Sequence, residues 1–239
     1  MTAEEENLKI MKNVDNYNKW IYDNIKKHLG KNILEVGGGM GAMTGFLIRD
    51  RAVVSTDVSK KHIETLKKRF SGKGYKAQLI DLSETTDSIE GHGFDTAVCI
   101  NVLEHIGDDM NCLKNMYKLL NDNGKIVLVL PAFPFAFGTI DKSDNHYRRY
   151  DKKIIPKLEK IGFKIIKSKY MNLPGLIGWI WHGKILKLQV HKQGDLSLFD
   201  KLVPLFAFCE RVVPFLPGLS LIVIAEKKGG IEEEKIEKK

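Results

Sequence analysis

Four of the five residues 37–41 are glycine, Gly37-Gly38-Gly39 and Gly41, and they directly follow the apolar run Ile33-Leu34-Glu35-Val36. Glycine at a strand-to-helix turn lets the chain reverse sharply and approach a ligand where a Cβ would collide. The helix-like Ala42-Met43-Thr44-Gly45-Phe46-Leu47 comes next, and a helix N-terminus offers unpaired N–H groups. A nucleotide-like cofactor laid across the turn is the chemistry this arrangement serves. The glycines at 37, 39 and 41 alternate, whereas the dinucleotide fingerprint is G-x-G-x-x-G, so NAD fits less well.

Acids fall where such a cofactor needs hydrogen-bond acceptors. Asp57 closes the run Ala52-Val53-Val54-Ser55-Thr56 and could accept both hydroxyls of a ribose. Ser59 already supplies the cap of the next helix, which frees Asp57 for a ligand. Asp81 closes Ala77-Gln78-Leu79-Ile80 and could accept from an adenine amino group. A fourth apolar run leads into Asn101-Val102-Leu103-Glu104-His105. His146 opens His146-Tyr147-Arg148-Arg149-Tyr150. His105 and His146 are the candidate catalytic bases, needed if an acceptor must lose a proton. Tyr147, Arg148, Arg149 and Trp179 are expected to contact substrate, and Tyr17, with Trp20, to lid the cofactor.

These residues need an alternating scaffold. Strands are expected at 32–36, 52–57, 76–81, 94–100 and 125–130, with helices at 42–49, 59–70 and 109–120 between them. Strands separated by helices of this length imply βαβ units and a mainly parallel sheet. A first helix spans 7–28. After residue 150 come a helix at 151–160 closed by Gly162, a strand at 163–169 and a last strand at 219–226. Residues 171–218 break the alternation. Four prolines and many Leu, Ile, Trp and Phe read as a helical insertion that caps the acceptor side, with Ser197 as N-cap of a helix starting near Leu198. Residues 1–226 then form one domain, and 227–239 a charged, disordered tail.

The net charge of +8 is uneven: residues 146–169 carry nine Lys or Arg against Asp151 and Glu159. A solvated helix face accounts for this, and an acidic substrate or membrane surface is the alternative. Nucleic acid is not expected, because interleaved exposed aromatics are lacking. Three unpatterned cysteines argue for a reducing compartment. Met1-Thr2-Ala3-Glu4-Glu5-Glu6 has no apolar core of a signal peptide. The expected location is the cytoplasm, with peripheral membrane contact through Trp179, Trp181 and the lysines of 171–218.

In order and spacing, the segments ILEVGGGMGAMTGFL (33–47), VVSTDVS (53–59), AQLIDL (77–82), FDTAVCINVLEHIGDD (94–109) and LNDNGKIVLVLP (120–131) resemble class I S-adenosylmethionine-dependent methyltransferases. The likeness extends outward over nearly the whole chain except the tail. It implies an α/β, Rossmann-like, mostly parallel seven-stranded sheet of order 3-2-1-4-5-7-6 with its last strand antiparallel. It also implies S-adenosylmethionine as cofactor and S-adenosylhomocysteine as product. Gly37, Gly38, Gly39 and Gly41 would line the methionine part and Asn101 its amino end. Asp57 with Val58 would hold the ribose, and Asp81 with Leu82 the adenine. Val102 would flank them, and Glu35 would orient the turn. Some relatives hold a metal with Glu-x-x-Glu-His after the fourth strand. Asn101 stands at the first of those positions, so no metal is expected. The C-terminal pattern resembles a subgroup associated with glycosyltransferases, which points to a hydroxyl on a sugar or lipid-linked acceptor. A soluble phenol or quinone precursor is the alternative, and a non-catalytic cofactor-binding module a third reading.

Overall fold

The apolar runs do form strands, and their alternating side chains cover both faces of one sheet. The computed structural model describes residues 14–72, 74–87, 89, 93–188, 193–213 and 215–229. Seven strands, β1 (Asn32–Val36), β2 (Ala52–Asp57), β3 (Tyr75–Leu79), β4 (Phe94–Ile100), β5 (Leu120–Pro131), β6 (Phe163–Met171) and β7 (Ser220–Lys227), lie in the order 3-2-1-4-5-7-6. β1 to β5 pair in parallel, and β7 runs antiparallel between β5 and β6. Successive strand residues point to opposite faces. Leu34, Ala97, Leu128 and Val223 therefore join one buried layer, and Ile33, Val98, Val127 and Ile224 the other. Parallel strands buried on both faces account for the near-continuous apolar runs.

Helices cover the faces: α1 (Asp15–Ile25), α2 (Thr44–Leu47), α3 (Lys60–Arg69), α4 (Asp109–Leu119), α5 (Thr139–Ser143), α6 (Ile154–Ile161), α7 (Leu173–Ile180) and α8 (Gln193–Val212). Ser59 caps α3 by accepting from the His62 N–H, and Asp108 caps α4 by accepting from the Asn111 N–H at 2.9 Å. Gly162 ends α6 at φ 119°, a left-handed conformation that glycine adopts without strain. Residues 7–13 of the expected first helix lie outside the described residues, as do 230–239.

Three local expectations differ from what forms. β3 stops at Leu79, so Asp81 sits in the following turn, where its Oδ1 accepts from the Ser83 N–H at 2.8 Å. β5 begins earlier than expected, because Leu120 pairs with Phe94 before a bulge. Ser197 is not a cap, since α8 starts at Gln193 and runs through Pro204. Proline has no N–H to give the carbonyl four residues earlier. That carbonyl, of Asp200, accepts instead from Asn16 Nδ2 at 3.1 Å. The Asp200 carboxylate accepts from the Asn16 and Tyr17 N–H groups at 3.3 and 2.9 Å. A residue of the insertion thus caps the first turn of α1 from outside and pins that helix over the sheet.

Candidate functional site

The site forms at the C-terminal ends of the parallel strands, where ligands bind in open α/β sheets. The Gly37 and Gly38 N–H groups donate to the Thr56 carbonyl at 2.8 and 2.9 Å, which folds the turn back onto β2. Gly37 adopts φ +73°, and a Cβ there would lie 2.3 Å from Val102 Cγ2. Only glycine lets β1 and β4 close to this distance and still leave room for a ligand.

A cavity of about 550 Å³ opens above the turn, within the range of small-molecule sites. Glu35, Gly37, Gly38, Gly39, Asp57, Val58, Asp81, Leu82, Asn101, Val102, His105 and Tyr147 line it. Gly41 does not; it packs the turn against Phe70. Tyr17 does not either. Its ring is buried against Trp20 and Phe199, with its hydroxyl 3.4 Å from Ser220 Oγ. Asn18 and Ile21 line the cavity in its place. Both stripes, 17/20 and 18/21, have i, i+3 spacing, so periodicity alone does not choose between them. His62, also on the wall, was missed because it reads as one polar residue among the lysines of α3.

Two acids of the wall are tuned in opposite directions. Asp57 Oδ2 accepts from the Gly39 N–H at 2.8 Å, and Oδ1 from the Ser59 N–H at 2.8 Å, with His62 Nδ1 3.1 Å away. Burial alone would raise its pKa, but these hydrogen bonds hold it below the ordinary aspartate value. Glu35 is fully buried, and burial raises its pKa against the hydroxyls of Ser55 and Thr44, both of which donate to Oε2. Asn101 adopts φ 50° at the end of β4, a conformation that asparagine tolerates.

The acceptor side is built differently. Tyr147 N–H donates to the Glu104 carbonyl at 2.8 Å, Arg148 Nη2 to the Gly107 carbonyl at 2.8 Å, and Tyr150 hydroxyl to the Leu103 carbonyl at 3.0 Å. The segment 146–150 is thereby laced to the turn after β4. Arg149, Trp179 and His146 do not reach the cavity; all three converge on the buried Asp141. Arg149 Nε donates to Oδ1 at 2.6 Å, Trp179 Nε1 to Oδ2 at 3.1 Å, and His146 Nδ1 lies 2.9 Å from Oδ1. The guanidinium also sits 4.5 Å from the Trp179 ring centre. Arg148 braces Asp109 at 2.8 Å. The substrate contacts expected of Arg148, Arg149 and Trp179 therefore give way to internal ones. Asp141, unremarked in the sequence, organises the group.

His105 stands between the two halves. It faces the cavity and packs edge-on against His146, ring centres 4.6 Å apart. Burial and the His146 charge push its pKa down to about 4. Burial pushes Glu104 up to about 7, partly offset by His146. Among the described residues, Glu104, His105 and His146 form the one group of metal-capable side chains, their ligand atoms all within 4.8 Å of one another.

Residues 34–126 match the methyltransferase domain family. A ubiquinone biosynthesis O-methyltransferase of Coxiella burnetii is 30% identical over 105 residues, 41% of this chain and 42% of that protein. In the match, the chain spans less than half the length of that relative. The fold is similar to that of the N-methyltransferase NodS from Bradyrhizobium japonicum in complex with S-adenosyl-L-homocysteine (14% identity, TM-score 0.55, 89% of this chain and 85% of that one). It is equally similar to the [4+2]-cyclase SpnF (14% identity, TM-score 0.60, 90% and 81%). Domain, strand order and glycine turn agree: the chain belongs to the class I S-adenosylmethionine-dependent methyltransferases.

Proposed function

We infer that this chain transfers a methyl group from S-adenosylmethionine to a hydroxyl of a small or lipid-linked molecule. One observation carries the reading: a single cavity joins the glycine turn, Asp57 and Asp81 to His105 and Tyr147. The residues fit the cofactor, because the backbone at Gly37 leaves room that a Cβ would fill and Asp57 retains lone pairs for ribose hydroxyls. Gly37 to Gly39 and Asn101 would hold its methionine part, and Asp81 with Leu82 its adenine. Bound there, S-adenosylmethionine supplies an electrophilic methyl on a sulfonium sulfur. The chain's own task is to align the acceptor and exclude water. His105 is the imidazole on the wall able to take the acceptor's proton, with His146 and Asp141 behind it.

The acceptor reading rests on two supports. The curated relatives are named O-methyltransferases of ubiquinone biosynthesis, which favours a phenolic hydroxyl over the sugar hydroxyl suggested by the C-terminal pattern. Trp181, Ile185, Leu198, Leu205 and Phe208 are exposed on the insertion beside Lys184 and Lys201. An apolar face rimmed by bases suits a lipid tail or an anionic membrane surface. No helix of the described residues is long and apolar enough to cross a membrane. Methyl-transfer assays on polyprenyl-tailed phenols, soluble phenols and lipid-linked sugars test the reading. Transfer to the tailed phenol is expected, with weak, salt-sensitive sedimentation on anionic liposomes. Transfer to none of the three contradicts it.

A further inference from the structure

The sequence argument against a metal compared one set of positions, residues 101, 104 and 105. The fold assembles a different set. His146 arrives from beyond β5 and stands against His105, so an imidazole takes the place that Asn101 leaves open. Each of the three side chains has an atom to spare. Glu104 is 1% exposed, and its Oε2 has no hydrogen-bond partner among the described residues. His146 Nδ1 is held by Asp141, which leaves Nε2. One nitrogen of His105 is hydrogen-bonded to the Asp144 backbone, which leaves the other. A ring held at one nitrogen by a carboxylate or a carbonyl is the arrangement that orients metal-ligating histidines. A buried carboxylate oxygen with no partner is costly unless a cation or a donor meets it.

We propose that Glu104, His105 and His146 bind one divalent transition-metal ion in the wall of the cavity. Two imidazoles and one carboxylate suit Zn²⁺, Co²⁺, Fe²⁺ or Mn²⁺ better than Mg²⁺ or Ca²⁺, which prefer oxygen ligands. Three protein ligands leave positions open on the ion. His105 lines the cavity, so those positions face the acceptor. The Arg149 guanidinium lies on the far side and is paired to Asp141 at 2.6 Å, which limits its repulsion of a cation. On the methyltransferase reading, the ion would hold the acceptor oxygen and favour loss of its proton. The two imidazoles would then position the ion rather than move the proton themselves.

Titration of the chelator-stripped chain with Co²⁺, followed by its visible absorption and by calorimetry, tests the site without any methyl acceptor. One ion per chain is expected. Glu104→Gln and His146→Gln should each weaken binding at least tenfold, and Asp141→Asn, which removes the support of His146, by roughly ten- to a hundredfold. Unchanged affinity for S-adenosylmethionine in Glu104→Gln certifies the fold of that variant. Absence of stoichiometric binding, or equal affinity in the wild type and both ligand variants, overturns the site. If the ion binds as described and no methyl transfer is found, the site stands and the functional reading falls.

Discussion

The two halves of the cavity are built on opposite plans. On the cofactor side, Gly37, Asp57 and Asp81 come from successive strand ends, and each faces the cavity while touching local backbone. On the acceptor side, His146, Arg149 and Trp179 come from three separate segments and satisfy one another around Asp141. The first plan is local and leaves its ligand-facing groups in sequence order. The second is a buried network whose members stabilise a wall and present little of themselves to a substrate. Loss of a group should therefore weaken ligand binding in the first half and the fold itself in the second.

The largest effect follows from removing the centre of that network. Asp141→Ala leaves the Arg149 charge buried without its partner, and breaking one side of such a pair costs about 3–5 kcal/mol. Urea unfolding should register that loss, and a change under about 1 kcal/mol would mean the network carries no such weight. Next in size is a pair on α1 that separates lining from packing. Ile21→Ala should weaken S-adenosylmethionine binding, whereas Tyr17→Phe should leave it within about twofold, since only the distant Ser220 contact is lost. Equal losses in the two would return Tyr17 to the site.

The two wall acids sharpen the comparison through pH. Asp57 is held below the ordinary aspartate value, so its contribution to stability is present above that value and lost as pH falls through the lowered one. Asp57→Asn should be less stable than wild type at neutral pH, and the two should converge in acid. Glu35 is raised, so the folded chain keeps a proton that the unfolded chain releases, and stability falls as pH rises between the two values. Glu35→Gln should gain on wild type over that rise. Thermal melts of both variants across pH 3–7 check the signs, and parallel curves would contradict them. The smallest effect belongs to Trp179→Phe, which keeps a ring over Arg149 and gives up one hydrogen bond to Asp141, about 1 kcal/mol.

What the sequence made readable divides along the same line. β1, β2 and β4 were legible because buried parallel strands are continuous apolar runs, and Gly37 and Asp57 because turn and strand end are adjacent in the chain. Asp81 was found although its strand ends two residues earlier, since the cavity reaches the turn as well. Asp141 was illegible: its partners lie from three to thirty-eight residues away, and nothing in a single acid between Ile140 and Lys142 announces four donors. The start of α8 was misplaced because Pro204 reads as a break. Only Asn16, nearly two hundred residues distant, reveals how the freed carbonyl is satisfied.

The central claim is that the glycine turn and Asp57 bind S-adenosylmethionine. Calorimetric titration of the wild type and Asp57→Ala with that molecule tests it most directly. Saturable binding by the wild type is predicted, weakened in the variant by about 1.5–3 kcal/mol, roughly ten- to a hundredfold. Absence of binding by the wild type, or equal affinity in a folded Asp57→Ala, would contradict it.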